Sequence, residues 1–452
     1  MARKVFISFL GSSNYRECRY SKDDFLSDDV RYIQEATLDY LCQREQWSDK
    51  DVAYILLTEG AKIKNWEDNG HCDFNTHEPI IQPGLMKCLQ KKDYPFPIQT
   101  VEQLPDGKNE GELFEQFRRI FEVLKPGDSL YFDVTHGFRS LPLLVLVLIN
   151  YAKFLKNVEI KSITYGNYEV RETVCLSDGV TFQKAPIIDL LPLSAIQDWT
   201  FAAADYLRNG NAKRFNELVT RHRSDIFRGF RQGNKDDADR LKVLANSLER
   251  VTNDFHTCRG TKFLSSENIA NLRKVLSEFG ETVIQPLNPL VTKMRESFDS
   301  FSAPADQLNC QNGFEAAKWC IGHNLYQQAA TILQENIVSF FCVRYGLDYL
   351  DEVERKKVNT AFVCRKEINS NKRNKKAINE MLEEIENDPI LKRLYLDEFI
   401  ATEKAYSAFG LLTDERNDIN HSGMRKEPHE ANVIRKNIKK AFDAFYQLFQ
   451  NV

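Results

Sequence analysis

Near the C-terminus the chain reads Leu412-Thr-Asp-Glu-Arg416-Asn417-Asp-Ile-Asn420-His421-Ser-Gly. These residue types can cleave RNA without a metal. Histidine titrates nearest neutrality, so it can take the proton of a 2′-hydroxyl or return one to a leaving oxygen. Arginine is permanently charged and forked, which suits a phosphate whose charge grows in the transition state. Asparagine can hold either partner in place. The spacing predicts the start of a helix with a capping Asp. Asn417 and His421 are then i, i+4 and share a face. Arg416 and His421, five residues apart at ~100° each, diverge by about 140°. A complete site therefore needs a local distortion or a second copy of the helix across a dimer interface. Glu335, on an amphipathic stretch, either orients Arg416 or is merely exposed.

A second group lies far upstream: Tyr131-Phe-Asp133-Val-Thr135-His136-Gly137-Phe-Arg139-Ser140-Leu-Pro142, followed by a run of Leu, Val and Ile. Residues 129–134 read as a buried strand, Gly137 as a tight turn, Ser140 as an N-cap and Pro142 as a first-turn residue of the next helix. A strand running through a turn into a helix start is an anion site in open α/β sheets, because free N–H groups and the helix dipole face the ligand. Thr135, His136 and Arg139 add donors suited to phosphate. The competing reading is a sharp turn around a core histidine, which bears on His136 more than on Arg139. Two further junctions match. Residues 4–10 form a strand followed by Gly11-Ser12-Ser13-Asn14-Tyr15, and residues 52–57 form a strand running into Thr58. Three such junctions describe one crevice of a doubly wound sheet. The chain has no G-x-G-x-x-G fingerprint and no Walker P-loop, so a nucleotide ligand fits but a redox dinucleotide or ATP hydrolysis has no support.

The elements that must carry these residues follow from periodicity. Up to about residue 190, strands near 5, 52, 97–101, 130 and 160–165 alternate with helices near 30–42, 113–124 and 141–155, which argues for a parallel sheet. Beyond Pro192 the pattern is helical, with stretches at 198–207, 236–255 and 266–279. Pro286, Pro289 and Pro304 mark a boundary. Two strong helices then occupy 314–345, and a final helix at 430–449 has a broad apolar face suited to a bundle or a dimer interface.

These residues resemble the CARF–HEPN ribonucleases of type III CRISPR systems. The resemblance rests on Phe9-Leu-Gly11-Ser12-Ser13-Asn14-Tyr15, on Asp133-Val-Thr135-His136-Gly137-Phe-Arg139-Ser-Leu-Pro142, on Pro186-Ile-Ile-Asp189-Leu with Asp198-Trp-Thr and Asp205-Tyr-Leu, and on Arg416-Asn417-Asp-Ile-Asn-His421. Residues 210–300 match only in being helical. The resemblance implies an α/β Rossmann-like CARF sensor at 1–190, a helical connecting region at 191–300 and a HEPN helical ribonuclease domain at 301–452. It implies an allosteric activator, cyclic tetra-adenylate before cyclic hexa-adenylate, held by Gly11, Ser12, Ser13, Asn14, Thr58, Thr135, His136, Gly137 and Arg139. Single-stranded RNA would be cut by Arg416, Asn417 and His421 in a homodimer or higher symmetric assembly, with no cofactor and no metal. Two alternatives stand beside it: a non-enzymatic regulator, and a sensor that also degrades its ring activator.

Composition agrees. The chain has 452 residues, room for two or three domains. Its net charge of −4 makes any RNA contact local rather than global. The basic run Arg365-Lys366 with Lys372-Arg373-Asn-Lys375-Lys376 is one candidate for such a contact, and a solvated surface is the other reading of it. Ten cysteines without a C-x-x-C pair read as reduced thiols. His71, Cys72 and His77 read as a polar loop, and Arg221-His222-Arg223 as a solvated helix face. The longest apolar stretch, 141–149, is half a membrane span, so a cytoplasmic protein with no membrane partner is expected.

Overall fold

The computed structural model describes residues 2–137, 139–222, 235–265, 267–278, 288–301, 309–370 and 373–449. The chain divides into two units, Met1–Ala195 and Ile196–Val452.

In the first unit, β1 (Lys4–Phe9), β4 (Val52–Thr58), β5 (Ile98–Leu104), β6 (Ser129–Asp133) and β7 (Glu159–Gly166) form a parallel core in the order β7-β6-β1-β4-β5. Strands buried on both faces are mostly apolar, and β1, Lys-Val-Phe-Ile-Ser-Phe, carries Val5, Phe6, Ile7 and Phe9, with the buried Ser8 hydrogen-bonded to Asp133. Val5, Ile7 and Phe9 pack with Leu130, Phe132 and the Leu141–Lys156 helix on one face. Phe6 packs with Ile55, Tyr131 and Leu38 of the Ile33–Arg44 helix on the other. The connections from β1 run outward through β4 to β5, whereas β6 and β7 lie on the opposite side of β1. The strand order therefore reverses between β1 and β6, where open α/β sheets bind ligands at the strands' carboxyl ends.

The sheet is not wholly parallel as alternation suggested. β9 (Thr181–Asp189) runs antiparallel to β7 and to β8 (Glu172–Cys175). β2 (Arg19–Lys22) joins β9 in parallel and carries β3 (Phe25–Leu26) antiparallel. Pro186 to Asp189 is thus the end of a sheet strand, just before the boundary between the units at Ala195. Asp189 Oδ1 then accepts the Leu191 N–H, at 2.9 Å, where the Leu191–Asn209 helix begins. Ser140 precedes the Leu141–Lys156 helix, but its side chain makes no cap bond, because the residue is already helical at φ −75°, ψ −17°.

The second unit is helical where it is described. Pro289 lies inside the first turn of the Asn288–Glu296 helix, not in a break, whereas Pro286 and Pro304 lie outside the described residues. Glu403–Asn420 packs against Tyr326–Arg344, Glu352–Ser370 and Ala431–Phe449. Phe341, Phe362, Phe409 and Phe445 fill the space between them, with Phe362 and Phe409 stacked at 4.2 Å. The apolar face of the last helix is spent inside this bundle: Ile438, Ala441 and Phe445 are fully buried. Among the described residues, no helix is long and apolar enough to cross a membrane.

One close approach fixes a helix pair. A Cβ on Gly313, in the Cys310–Gly322 helix, would stand 2.0 Å from Asn336 Oδ1, and Asn336 is buried and bonded to the Cys310 carbonyl. Alanine normally stabilises a helix interior by about 1 kcal/mol over glycine. Here the steric conflict outweighs that gain. Gly313→Ala is expected to lower the melting temperature by several degrees, roughly a 1–3 kcal/mol loss from overpacking; a calorimetric melt that shows a rise would show that the helices separate at no penalty.

Candidate functional site

The two loops predicted to face a ligand meet over the reversal between β1 and β6. Beneath them lies a buried polar network. Asp133, at the end of β6, is fully buried. It accepts Ser8 Oγ from β1 at 2.6 Å and Thr135 Oγ1 at 2.5 Å. Gln34 Nε2, from the Ile33–Arg44 helix, reaches Ser8 Oγ at 3.0 Å and the Phe9 carbonyl at 2.9 Å. Thr135 Oγ1 also accepts the Gly166 N–H from the end of β7, at 2.8 Å. Its hydroxyl proton goes to Asp133, so Thr135 joins the ends of β6 and β7, and Asp133 in turn holds β1 through Ser8. Burial outweighs these bonds and raises the Asp133 carboxyl to about 6.

Above this floor the Tyr15 and His136 rings stack, centroids 4.1 Å apart at 25°. The stack joins the loop after β1 to the loop after β6. A Cβ at position 11 would meet the Tyr15 hydroxyl at 2.1 Å, so any larger residue there would displace the Tyr15 ring. Desolvation lowers the His136 imidazole to about 4, so it is a neutral ring near pH 7, not a cation for phosphate. Ser12, Ser13 and Asn14 are exposed along the lip. Gly137 turns the chain at φ 141°, and Arg139 is exposed just before the helix; Phe138 lies outside the described residues. Thr58, at the end of β4, is buried and caps the following turn through the Ala61 N–H.

Two supporting residues escaped sequence reasoning. Asn65, fully buried in the π-helical turn Lys62–Trp66, donates through Nδ2 to the carbonyls of Gly11 and Ser13, both at 2.8 Å. His71 Nε2 lies 3.0 Å from Asn65 Oδ1; with the Asn65 amide oriented this way, it carries the proton. The segment is a loop as expected, but His71 itself is buried and holds the loop after β1 through Asn65. No local pattern announces this pair, since the contact links residues over 50 positions apart.

In the second unit, Arg416 to His421 occupy the end of the Glu403–Asn420 helix, not its start. His421 is the C-cap, its N–H bonded to the Asn417 carbonyl at 2.9 Å, and Ser422 (φ 56°) and Gly423 (φ 68°) turn the chain away. The apolar periodicity upstream of Leu412 belongs to the same helix. Arg416 is half-buried: Nη1 donates to Gln334 Oε1 at 3.3 Å and Nη2 lies 3.5 Å from Glu335 Oε1. The other Glu335 oxygen takes Arg355 Nη2 at 2.5 Å, so the expected orienting glutamate bridges two arginines. Asn417 and His421 are exposed. Within one chain, then, Arg416 is anchored on the neighbouring helix while Asn417 and His421 face outward.

The basic run is partly neutralised. Arg365 stacks on Tyr395, and Arg373 pairs with Glu367 at 2.8 Å. Lys372 and Arg223 lie outside the described residues, as do the side chains of Arg221 and His222.

Residues 5–169, which include both crevice loops, match the family described as CRISPR system endoribonuclease Csx1, CARF domain. The first unit is therefore similar to a CARF domain over most of its length. The chain is similar to the CRISPR-associated protein MJ1674 of Methanocaldococcus jannaschii, with 23% identity over 241 residues. That alignment covers 52% of this chain and 32% of the other, so the chain spans about a third of the length of this curated relative.

The Asp133 carboxyl gives a pH test. Its folded value, about 6, lies above its ordinary 3.8, so the folded state holds the proton more tightly. That contribution to stability is complete below pH 4 and is lost as pH rises through 6, on the order of 3 kcal/mol in all. The always-neutral Asp133→Asn should lack this loss. His136, shifted in the opposite sense, contributes equally to both proteins. Urea unfolding at pH 4.5 and pH 7.5 should show wild type losing stability relative to the variant; a pH-independent difference would mean that Asp133 is solvated.

Proposed function

We propose that the chain is a sensor–effector endoribonuclease in which cyclic oligoadenylate, cyclic tetra-adenylate in the first instance, switches on metal-independent cleavage of single-stranded RNA. The observation that carries this reading is that one chain joins a CARF crevice to a helix end where Arg416 is anchored and Asn417 and His421 are exposed. His421 moves the proton of the 2′-hydroxyl, whose oxygen attacks the adjacent phosphorus. The 5′-oxygen leaves and is protonated, giving a 2′,3′-cyclic phosphate and a 5′-hydroxyl. Arg416 stabilises the charge that grows on the phosphorane, and Asn417 positions the phosphate. Residues 301–452 are the HEPN domain on this reading, and 191–300 connect it to the sensor.

The working form is a homodimer or higher symmetric assembly in the cytoplasm. The Leu141–Lys156 helix, which begins just after Arg139, exposes Leu143 (67%), Val147 (53%) and Phe154 (86%) on its surface. An isologous pairing of this face would bring two crevices together, and a symmetric ring fits a two-fold axis. Gly11, Ser12, Ser13, Asn14, His136, Gly137 and Arg139 line the ring, while Thr58 and Thr135 shape the site from within. The engaged Thr135 hydroxyl favours sensing over ring degradation.

Arg416→Ala and His421→Ala should each abolish RNA cleavage while leaving activator affinity unchanged. Gel analysis of the products together with a binding titration checks both, and cleavage that persists in either variant refutes the assignment.

Arg139→Ala should instead raise the activator concentration for half-activation by roughly tenfold or more, the loss of one charge-assisted phosphate contact per copy, with a similar plateau. An unchanged half-activation point would place the phosphate contact on the Gly11–Asn14 turn.

A further inference from the structure

Behind the Arg416–His421 segment is a second cluster that the ribonuclease reading does not use. Glu415 and Asp418 stand three residues apart on one face of the Glu403–Asn420 helix, and both are buried, at 0% and 2% exposure. The turn at Ser422 and Gly423 brings His429 back over them. The His429 N–H donates to Asp418 Oδ2 at 2.7 Å. Its Nδ1 lies 2.9 Å from Glu415 Oε1 and 4.0 Å from Asp418 Oδ2. One ligand atom from each of the three residues falls within 4.8 Å of the others. The ligands of an ion bound at about 2.0–2.2 Å stand some 3–4 Å apart, so small side-chain shifts would complete a coordination sphere.

Two observations point to a cation as the ligand of this cluster. The first is Glu415 Oε2: it is buried and meets no hydrogen-bond donor among the described residues, although its carboxylate is fully enclosed. A bare buried carboxylate oxygen is strongly disfavoured. The second is charge. Asp414 Oδ2 lies 3.9 Å from His429 Nε2, so three carboxylates surround one imidazole. The Arg425 guanidinium is engaged by Asp414, at 2.9 Å, and Asn437 Nδ2 brings a neutral donor to Glu415 Oε1. The donor set, one imidazole nitrogen with two carboxylates, suits Zn²⁺ or Mn²⁺ better than Mg²⁺ or Ca²⁺, which favour oxygen-only shells. With Nδ1 as the ligand, Nε2–H would face Asp414, the carboxylate–histidine pairing that orients metal-bound imidazoles.

We propose that Glu415, Asp418 and His429 bind a divalent transition-metal ion, Zn²⁺ or Mn²⁺, that ties the end of the Glu403–Asn420 helix to the start of the Ala431–Phe449 helix. The ion takes no part in RNA cleavage. It closes the segment 419–428, which contains His421, into a fixed loop. This site departs from the expectation of no metal, and it stands whether or not the chain cleaves RNA.

The test uses the full-length chain, stripped with a chelator, dialysed and reloaded with ZnCl₂ or MnCl₂. Elemental analysis after gel filtration should find one retained ion per chain, and the melting temperature should rise by roughly 5 °C or more at saturating metal. His429→Ala, with its circular dichroism spectrum confirming that it is folded, should retain no stoichiometric metal and show no such rise. Glu415→Gln should behave alike, with its circular dichroism spectrum confirming that it is folded. Failure of the wild type to retain metal, or equal retention and an equal melting shift in His429→Ala, would overturn the proposal and leave the cluster as an ion-pair network.

Discussion

The crevice depends on a carboxylate buried where the sheet reverses. Asp133 sits at the end of β6 and takes a hydroxyl from Ser8 on β1 and another from Thr135, which in turn receives the Gly166 N–H of β7. Three strand ends are thereby tied to one side chain. Apolar packing alone could set the strands' spacing but not the directions in which their following loops leave, because hydrophobic burial is non-directional. Hydrogen bonds supply that direction. A polar group held in low dielectric is acceptable only if its network is satisfied, and such networks specify geometry for the same reason. From the fixed strand ends, the loop after β1 is pinned by Asn65 and the loop after β6 by the stack of His136 on Tyr15.

The helical unit follows a related logic with charge in place of neutral donors. Arg416 is held by Gln334 and Glu335, and Glu335 is also held by Arg355. An unsupported arginine at a helix end samples many rotamers and loses about 2 kcal/mol of side-chain entropy on being ordered for a ligand. Glu335 and Gln334 meet part of that cost during folding. The same helix turns its opposite acids, Glu415 and Asp418, toward His429. One helix end thus presents a fork of positive charge on one side and buried negative charge on the other, with His421 at the turn between them.

Much of this was legible in the sequence because burial writes a strong pattern. β1, β4 and β6 are largely apolar on both faces and appear as strongly hydrophobic runs, and the loops at their carboxyl ends carry the quoted motifs. β2 and β9 were not legible. Arg19-Tyr-Ser-Lys22 is short and polar, and its place in the sheet is set by pairing with a partner 165 positions away. The helix end at Arg416 was read as a start because Asp and Glu precede it, as they do at many N-termini. The signal that contradicts this is Ser422-Gly423, where positive φ ends a helix. Ser140 misled in the other direction: a capping residue type stands at the right position, yet its backbone is already helical. Among the nominated ligand residues, the exposed ones, Ser12, Ser13, Asn14 and Arg139, differ from Thr58 and Thr135, whose hydroxyls are used internally. Composition cannot separate these groups, because the same hydroxyl serves a ligand or a strand end according to which partner is nearer.

On the proposed function, these constraints bear on how activation can work. A ligand shifts a conformational equilibrium only by its difference in affinity for the two states. Moving a population from 1:99 to 99:1 takes about a 10⁴-fold difference, near 5.5 kcal/mol. A rigid floor of strand ends means that this difference cannot come from rearranging Asp133, Thr135 or Ser8. It must come from the exposed lip, the Tyr15–His136 stack and Arg139. A charge-assisted bond to phosphate supplies about 1.5–3 kcal/mol. One such contact falls short of the requirement, whereas two equivalent crevices reading one symmetric ring supply about 3–6 kcal/mol, a range that brackets it. A dimeric sensor is then the arrangement in which a few mobile side chains on a fixed floor can drive a switch.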